Sequence, residues 1–101
     1  MRILVRVTLP HEPFNTFAKD GSVSAKMKHI LDQLKPEAAY FTEFGGHRSA
    51  VLIVHMEDGS QIPAIAEPWF LTFNADCHFH AAMVPEDLAK ADLAALGKKW
   101  A

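Results

Sequence analysis

The residues best suited to chemistry lie in one short segment: Asp76, His78 and His80. In a β-strand their spacing of two puts all three side chains on one face, with successive Cα atoms about 6.6 Å apart. Imidazole and carboxylate groups bind zinc, nickel and iron. A metal site would need a further ligand, for which His55 is the same-face candidate. The pattern also fits a solvated histidine pair or the polar lining of a ligand pocket, so we predict no metal or other cofactor. Metal or haem binding through His78 and His80 is the weaker alternative.

Arg6 adds a cation to the same face of the expected sheet. We predict that it lies on a central strand, with His78 and His80 on one side and His55 on the other. Its guanidinium has the fork of donors needed to anchor an anionic small molecule. The simpler alternative is a salt bridge to a nearby carboxylate, which would be that of Asp76 or Glu43.

Three histidines are candidates for proton transfer, because only imidazole changes charge near pH 7 without a shifted pKa. Tyr40 would donate a hydrogen bond or orient a ligand if its side chain faces the same way. The catalytic candidates are therefore His55, His78 and His80, and the ligand-binding candidates are Arg6, Tyr40, His55, His78 and His80.

The remaining reactive side chains are expected to be structural or solvated. Cys77 alternates with the histidines and should point toward apolar neighbours as a core thiol, not a nucleophile. His11 and His47 are placed in solvated loops, and His29 on the exposed side of a helix. The sequence contains no phosphate-binding glycine loop, zinc-finger cysteine spacing or Gly-x-Ser-x-Gly turn.

Hydrophobic periodicity predicts four strands that would hold these residues. Gly45 and Gly46 between two β-rich runs indicate a hairpin. The expected strands are Ile3–Leu9, Glu37–Phe44, Arg48–Met56 and Asp76–Met83.

Apolar spacing of three and four residues predicts the helices. A break at Asp20-Gly21 separates a short helix from a longer one that Ser22 would cap. Ser60 would cap the next helix, and Pro68 should kink it near Glu67. The first two expected helices are Phe14–Lys19 and Ser22–Leu34. The third follows Ser60 and bears the stripe Ile62, Ile65, Ala66, Trp69, Phe70 and Phe73. Pro85 opens a single final helix, which Gly97 with Lys98-Lys99 closes and which bears a stripe of Ala89, Leu93, Leu96 and Trp100.

The resulting order, βαββαβ plus a C-terminal helix, predicts one ferredoxin-like α+β domain over residues 1–101 with sheet order 4-1-3-2. The helix-facing sets are expected to be Ile3/Val5/Val7, Ala50/Leu52/Val54/Met56 and Cys77/Phe79/Ala81/Met83. For residues 37–44 the sequence does not decide between Ala39/Phe41/Glu43 and Tyr40/Thr42/Phe44.

The opposite face of this sheet is mixed in character. A solvated face should be polar, yet Leu4, Val51 and Ile53 lie on it. We therefore expect a second copy to cover this face around a semi-polar cavity. A solvated amphipathic face is the alternative. Counted with glycine and without tyrosine, about 54% of the chain is apolar, above the usual 45–50%, which also favours a homodimer.

Composition excludes several classes of function. Ten Lys and Arg against twelve Asp and Glu give a net charge of −2, which argues against nucleic-acid binding. No apolar run is long enough to span a membrane or to form a signal peptide. The single cysteine excludes an internal disulfide and suits a reducing compartment, so a cytoplasmic protein is expected.

A chain of this length and order resembles the dimeric α+β barrel superfamily, which includes antibiotic-biosynthesis monooxygenases and muconolactone isomerase-like proteins. The helix, Pro-aromatic and last-strand passage of that superfamily is similar to Ile65–Phe70 followed by Asp76–Phe79. Three further segments resemble a family of short bacterial proteins of unknown function: Pro36–Glu43, Glu67–Ala75 and Val84–Leu88. The resemblance implies the fold and a homodimer with facing sheets. It implies no activity, because the monooxygenases' catalytic pattern does not map onto this chain.

Two functions remain open on the sequence. The first is a homodimeric barrel that binds a small anionic or aromatic molecule, either as a binding protein or as a cofactor-free enzyme of monooxygenase or isomerase type. The second is a non-catalytic interaction or regulatory module whose polar sheet face serves only the dimer contact. This architecture hosts unrelated functions, so the fold by itself favours neither of them.

Overall fold

Strict alternation builds the centre of the sheet. In the computed structural model, which describes residues 1–101, β1 (Arg2–Leu9) buries every second side chain: Ile3, Val5, Val7 and Leu9. Side chains of a strand alternate between its two faces. The predicted helix-facing side of β1 is therefore confirmed, and Arg6 lies on the other side.

Two glycines form the predicted hairpin. β2 (Ala38–Phe44) and β3 (His47–His55) are antiparallel and joined through Gly45 and Gly46, whose φ angles are 58° and 81°. Left-handed conformation at both central residues matches the twist of the flanking strands, and glycine adopts it without steric cost. Ala50, Leu52, Val54 and Met56 are buried toward the helices, as predicted.

Three helices cover one face of the sheet: α1 (His11–Asp20), α2 (Val23–Leu34) and α3 (Ile62–Phe73). Gly21, at φ 82°, separates α1 from α2 at the predicted break. Ser22 stands at the predicted N-cap position of α2, but its side chain makes no capping hydrogen bond. α3 is one continuous helix through Pro68.

The cap predicted before α3 is wrong. Ser60 lies inside a 3₁₀ turn, Gly59–Gln61, and the capping side chain is Asp58, whose carboxylate accepts a hydrogen bond from the Ser60 backbone N–H at 2.8 Å. The helical segment therefore begins with the 3₁₀ turn, and its N-cap is Asp58, two residues before the predicted Ser60. A short polar side chain in extended backbone, as at Asp58, is the usual N-cap.

The last strand is shorter than predicted. β4 (Asp76–Ala81) ends two residues before Met83, and the last hydrogen bond toward β1 runs from the Ala82 N–H to the Arg2 carbonyl. Ala81 pairs with Ile3 and so lies on the helix-facing side as predicted, although it is exposed. Met83 lies beyond the end of β4 and is exposed instead of facing the helices.

The prediction of a single C-terminal helix is also wrong. Two short helices, α4 (Pro85–Lys90) and α5 (Leu93–Lys99), are separated at Asp92, which has a left-handed φ of 51°. The Asp92 carboxylate accepts a hydrogen bond from the Ala95 N–H and so starts a new helix. Gly97 lies within α5 and does not end it.

The strand order is β2-β3-β1-β4, all antiparallel, which confirms the predicted 4-1-3-2 sheet and the ferredoxin-like α+β fold. One apolar core joins the sheet to the helices, with Trp69 and Phe73 of α3 and Ile30 of α2 against β1 and β3. None of the helices has both the length and the apolar content needed to cross a membrane.

Candidate functional site

The candidate residues lie on the sheet face that turns away from α1, α2 and α3, which we call the open face. Directly paired residues of neighbouring strands share a face. Tyr40 pairs with Val51, Val51 with Arg6, and Arg6 with His78, so these four residues form one row across the sheet. This register settles the phase of β2: Tyr40, Thr42 and Phe44 lie on the open face, and Phe41 faces the helices.

Two further rows flank that of Arg6. The row toward the end of β4 contains Ala38, Ile53, Leu4 and His80, and the row toward its start contains Thr42, Ser49, Thr8 and Asp76. Leu4, Val51 and Ile53 are partly buried and His78 and His80 are exposed. The face is therefore an apolar strip bordered on the β4 side by histidines.

Arg6 lies at the centre of this face without an ionic partner. Its Nε is buried and finds no hydrogen-bond acceptor in the protein, and its guanidinium carbon lies 5.4 Å from the centre of the Phe44 ring. The alternative of a salt bridge to Asp76 or Glu43 is wrong. Glu43 points away and accepts from the Gly46 N–H, and Asp76 forms no ion pair.

His55 is occupied at the end of the sheet and does not flank Arg6. It pairs across the strands with Arg2, and both side chains bind the Glu37 carboxylate, each at 3.2 Å. The hydrogen bond from His55, followed by the bond and charge of Arg2, holds the pKa of Glu37 below its ordinary 4.5 despite some desolvation. This cluster ties the start of β2 to β1 and β3. It leaves His78, next to Arg6, as the candidate base closest to the unpaired cation.

No three histidine, cysteine, aspartate or glutamate side chains lie close enough together to hold a metal ion. Asp76, His78 and His80 follow one another along a single exposed strand face, and His55 lies two strands from His80 and is engaged by Glu37. The metal alternative for these residues therefore has no geometric basis. A strand alone spreads its ligands too far apart to close a coordination shell.

The other reactive residues largely follow the sequence expectation. Burial, and then the charge of Asp76, raises the pKa of the Cys77 thiol to about 12, in keeping with a core cysteine. His29 is exposed on α2. His11 and His47 are not in loops. They begin α1 and β3 and stack on each other with ring centres 4.9 Å apart.

Sequence reasoning missed two residues of the site, Phe44 and Glu37. Phe44 belonged to the β2 phase that the sequence left undecided, and its contact with Arg6 of β1 crosses the intervening strand β3. Glu37 precedes β2 and showed no spacing pattern with Arg2 or His55. One signal could have indicated the cluster. Glu37 comes directly before β2, and β2 pairs with β3, which ends in His55.

The single chain has no cavity over Arg6. Its largest depression, about 480 Å³, lies on the helix side between α2 and β2, and the other three lie at the edges and ends of the sheet. Binding sites for small molecules are concave and bury most of the ligand. The open face becomes such a site only when something covers it.

Comparison with known proteins shows similarity of shape alone. No family model matches the chain, and no curated protein matches its sequence. One solved structure it resembles is "De novo designed protein Ferredog-Diesel", with 8% identity, a TM-score of 0.45, and coverage of 80% of this chain and 85% of that one.

Proposed function

We propose that the protein is a homodimeric binding domain of the dimeric α+β barrel type. In this proposal the open faces of two copies enclose a chamber, and Arg6 of each copy binds a small molecule that carries a carboxylate. The proposal is in keeping with the resemblance of the chain to that superfamily and to a family of short bacterial proteins.

The observation that carries the proposal is the buried, unpartnered Nε of Arg6. A buried donor without an acceptor destabilises a protein by about 1–3 kcal/mol, so such groups are rare unless a partner arrives from outside. Guanidinium presents parallel donors that match the two oxygens of a carboxylate. A ligand carboxylate at this position would supply the missing acceptor and neutralise the charge.

The neighbours of Arg6 favour a ligand with an aromatic or apolar part. The Phe44 ring lies against its guanidinium, and Tyr40 and Val51 occupy the same row. Tyr40 is 67% exposed, so its ring and hydroxyl are free to contact another molecule. Aromatic rings prefer offset or edge contacts with other rings, which suits an aromatic carboxylate.

A second copy is the natural cover for this face. Stacked sheets pack about 10 Å apart, and the space between them is filled by inward-facing side chains. The apolar strip of Leu4, Val51 and Ile53 would be kept dry by such packing. The polar residues beside it would line the part of the chamber that the ligand occupies, with His78 positioned to exchange a proton with it.

Thermal unfolding with benzoate and benzamide tests the proposal, because the two compounds differ chiefly in charge. We expect millimolar benzoate to raise the melting temperature of the wild-type protein, and benzamide to have little effect. Arg6→Gln should abolish the benzoate shift. Arg2→Gln is the matched control, since Arg2 lies on the same strand and face but is already bound to Glu37.

Two results would contradict the proposal. Equal benzoate shifts in wild type and Arg6→Gln would remove Arg6 from the site. Absence of any shift with benzoate and a panel of other small carboxylates would remove the binding function. A dimer that binds no ligand would favour the alternative of a non-catalytic interaction module.

A further inference from the structure

The C-terminal residues 83–101, which we call the arm, project from the rest of the domain. The radius of gyration of the chain is 16.9 Å, against about 13 Å for a compact domain of this length. Its longest dimension is 59 Å, while a nine-residue strand such as β3 spans only about 30 Å. Neither α4 nor α5 makes more than marginal contact with any other helix or strand.

The two helices of the arm are too short to be stable alone. α4 has six residues and α5 has seven. Isolated helices shorter than about 12–15 residues are marginal in water, and helices in proteins owe most of their stability to packing of an apolar face. A surface that packs against the arm is therefore required, and the chain's own body does not supply it.

The arm also carries a concentration of exposed apolar side chains. Every residue of α5 is exposed, and Trp100 is 78% exposed. Large apolar residues scattered singly on a surface are ordinary, but a group of them marks an interaction site. The group consists of Met83, Leu88, Leu93, Leu96 and Trp100.

The size of the open face gives a reason to choose a second copy as the partner. Four strands about 4.8 Å apart and six to nine residues long cover only about 480 Å² in projection. A stable interface buries about 800 Å² on each partner. The face-to-face contact of the proposed dimer is therefore small, and exchange of the arms would add to it twice because a two-fold interface is reciprocal.

The chain has a matching apolar groove, which is its largest depression at about 480 Å³. It opens at the β2 edge of the sheet, on the helix side. Ser24, Lys28 and Asp32 line it beside five apolar residues, and Lys28 and Asp32 bind each other at 2.6 Å. The groove therefore presents an apolar floor with no unpaired charge. Its apolar lining consists of Phe14, Val23, Met27, Leu31 and Phe41.

The arm and the groove meet when the two-fold axis of the dimer runs along the strands. A two-fold axis that runs along the strands between two facing sheets places β4 of one copy opposite β2 of the other, because these strands form opposite edges of the sheet. The arm leaves from β4 and the groove opens at β2. An arm that reaches past its own body would meet the partner's groove around that edge.

We propose that the arm is exchanged between two copies, with the apolar stripe of α5 seated in the partner's α2–β2 groove. The stripe contains Leu93 and Leu96 of α5 and Trp100, which directly follows the helix. This inference rests on the dimer of the proposed function and names a second contact within it. The arm then stabilises the dimer, and the sheet faces enclose the ligand.

Disulfide trapping between two different variants tests the exchange directly. One chain carries Leu96→Cys and the other Ser24→Cys, both with Cys77→Ala, so that a disulfide joins them only when an arm reaches the partner's groove. We expect a linked species of about twice the 11.2 kDa chain mass that contains one chain of each variant, identified by the mass of its disulfide-joined peptides. His29→Cys, exposed on α2 away from the groove, replaces Ser24→Cys in the control and should link far less. Equal yields, or no link, would overturn the inference.

Sedimentation of single variants separates this inference from the proposed function. Leu96→Asp should raise the dissociation constant of the dimer by at least about tenfold. Ala94→Asp, which introduces the same carboxylate on the other side of α5, should leave it unchanged. If Leu96→Asp leaves a wild-type dimer unchanged, the arm exchange is wrong and the facing-sheet dimer stands. If the wild-type chain is a monomer at every concentration, both are wrong, whereas benzoate binding at Arg6 is decided independently by its melting shift.

Discussion

Replacement of Arg6 by methionine tests whether this arginine is kept for a ligand at the expense of stability. The buried Nε has no acceptor, and such a donor costs about 1–3 kcal/mol. Since the rest of the side chain is only partly buried, the lower half of that range, about 1.5 kcal/mol, applies. The contact of the guanidinium with the Phe44 ring at 5.4 Å stabilises the folded protein by about 0.5–1 kcal/mol and so offsets part of this cost.

Methionine has a similar length and packs adaptably against apolar neighbours. We therefore expect Arg6→Met to stabilise the ligand-free protein by about 0.5–1 kcal/mol, which corresponds to a rise in melting temperature of about 2–8 °C for a domain of this size. Thermal unfolding without ligand, at one fixed protein concentration, measures the change. The fixed concentration matters because dimer stability depends on it.

Arg2→Met is the control for a general effect of removing a guanidinium from this face. Arg2 is bound to Glu37 at 3.2 Å, so its removal should give no gain in stability. The reasoning is refuted if Arg6→Met melts at or below the wild-type temperature, or if Arg2→Met gains as much. A gain at Arg6 together with loss of the benzoate shift would show stability exchanged for binding at one residue.

Two further predictions concern titratable groups. The hydrogen bonds from His55 and Arg2 lower the pKa of Glu37 in the folded protein. The ionised carboxylate therefore stabilises the fold above its ordinary pKa of 4.5. This stabilisation is lost as the pH falls through the lowered pKa. Glu37→Gln should therefore be less stable than wild type in urea at neutral pH and indistinguishable from it below the lowered pKa, whereas a constant difference at all pH values would contradict this. The thiol of Cys77 has a pKa of about 12, so it should react with iodoacetamide far more slowly in the folded protein than in urea at the same pH. Equal rates would show that Cys77 is not a protonated core thiol.

The strands and most helices were predictable because their signals are local. Alternation in β1, the glycine pair of the hairpin and the 3.6-residue spacing in α3 each depend on neighbours within one segment. The prediction of a single final helix was wrong for a related reason. Its apolar stripe is continuous in sequence, and nothing marked the left-handed conformation of Asp92 that divides it.

For the candidate site, the sequence predicted only which residues share a sheet face. The period of two along each strand placed Arg6, His78 and His80 on one face, but which residues become neighbours depends on how separate strands pair. The register puts Tyr40 and His78 in the row of Arg6, moves His55 to Arg2 and Glu37, and brings Phe44 onto the guanidinium.

The sequence by itself determined the segments, their order and the mixed character of one sheet face, since each follows from residue type and spacing within a short window. Tertiary structure alone decided that Arg6 has no partner, that β2 turns Tyr40 and Phe44 toward it, and that the C-terminal arm stands away from the body. These features arise from contacts between residues far apart in the chain, and the one-dimensional pattern of apolar and polar positions carries no record of which distant surfaces meet.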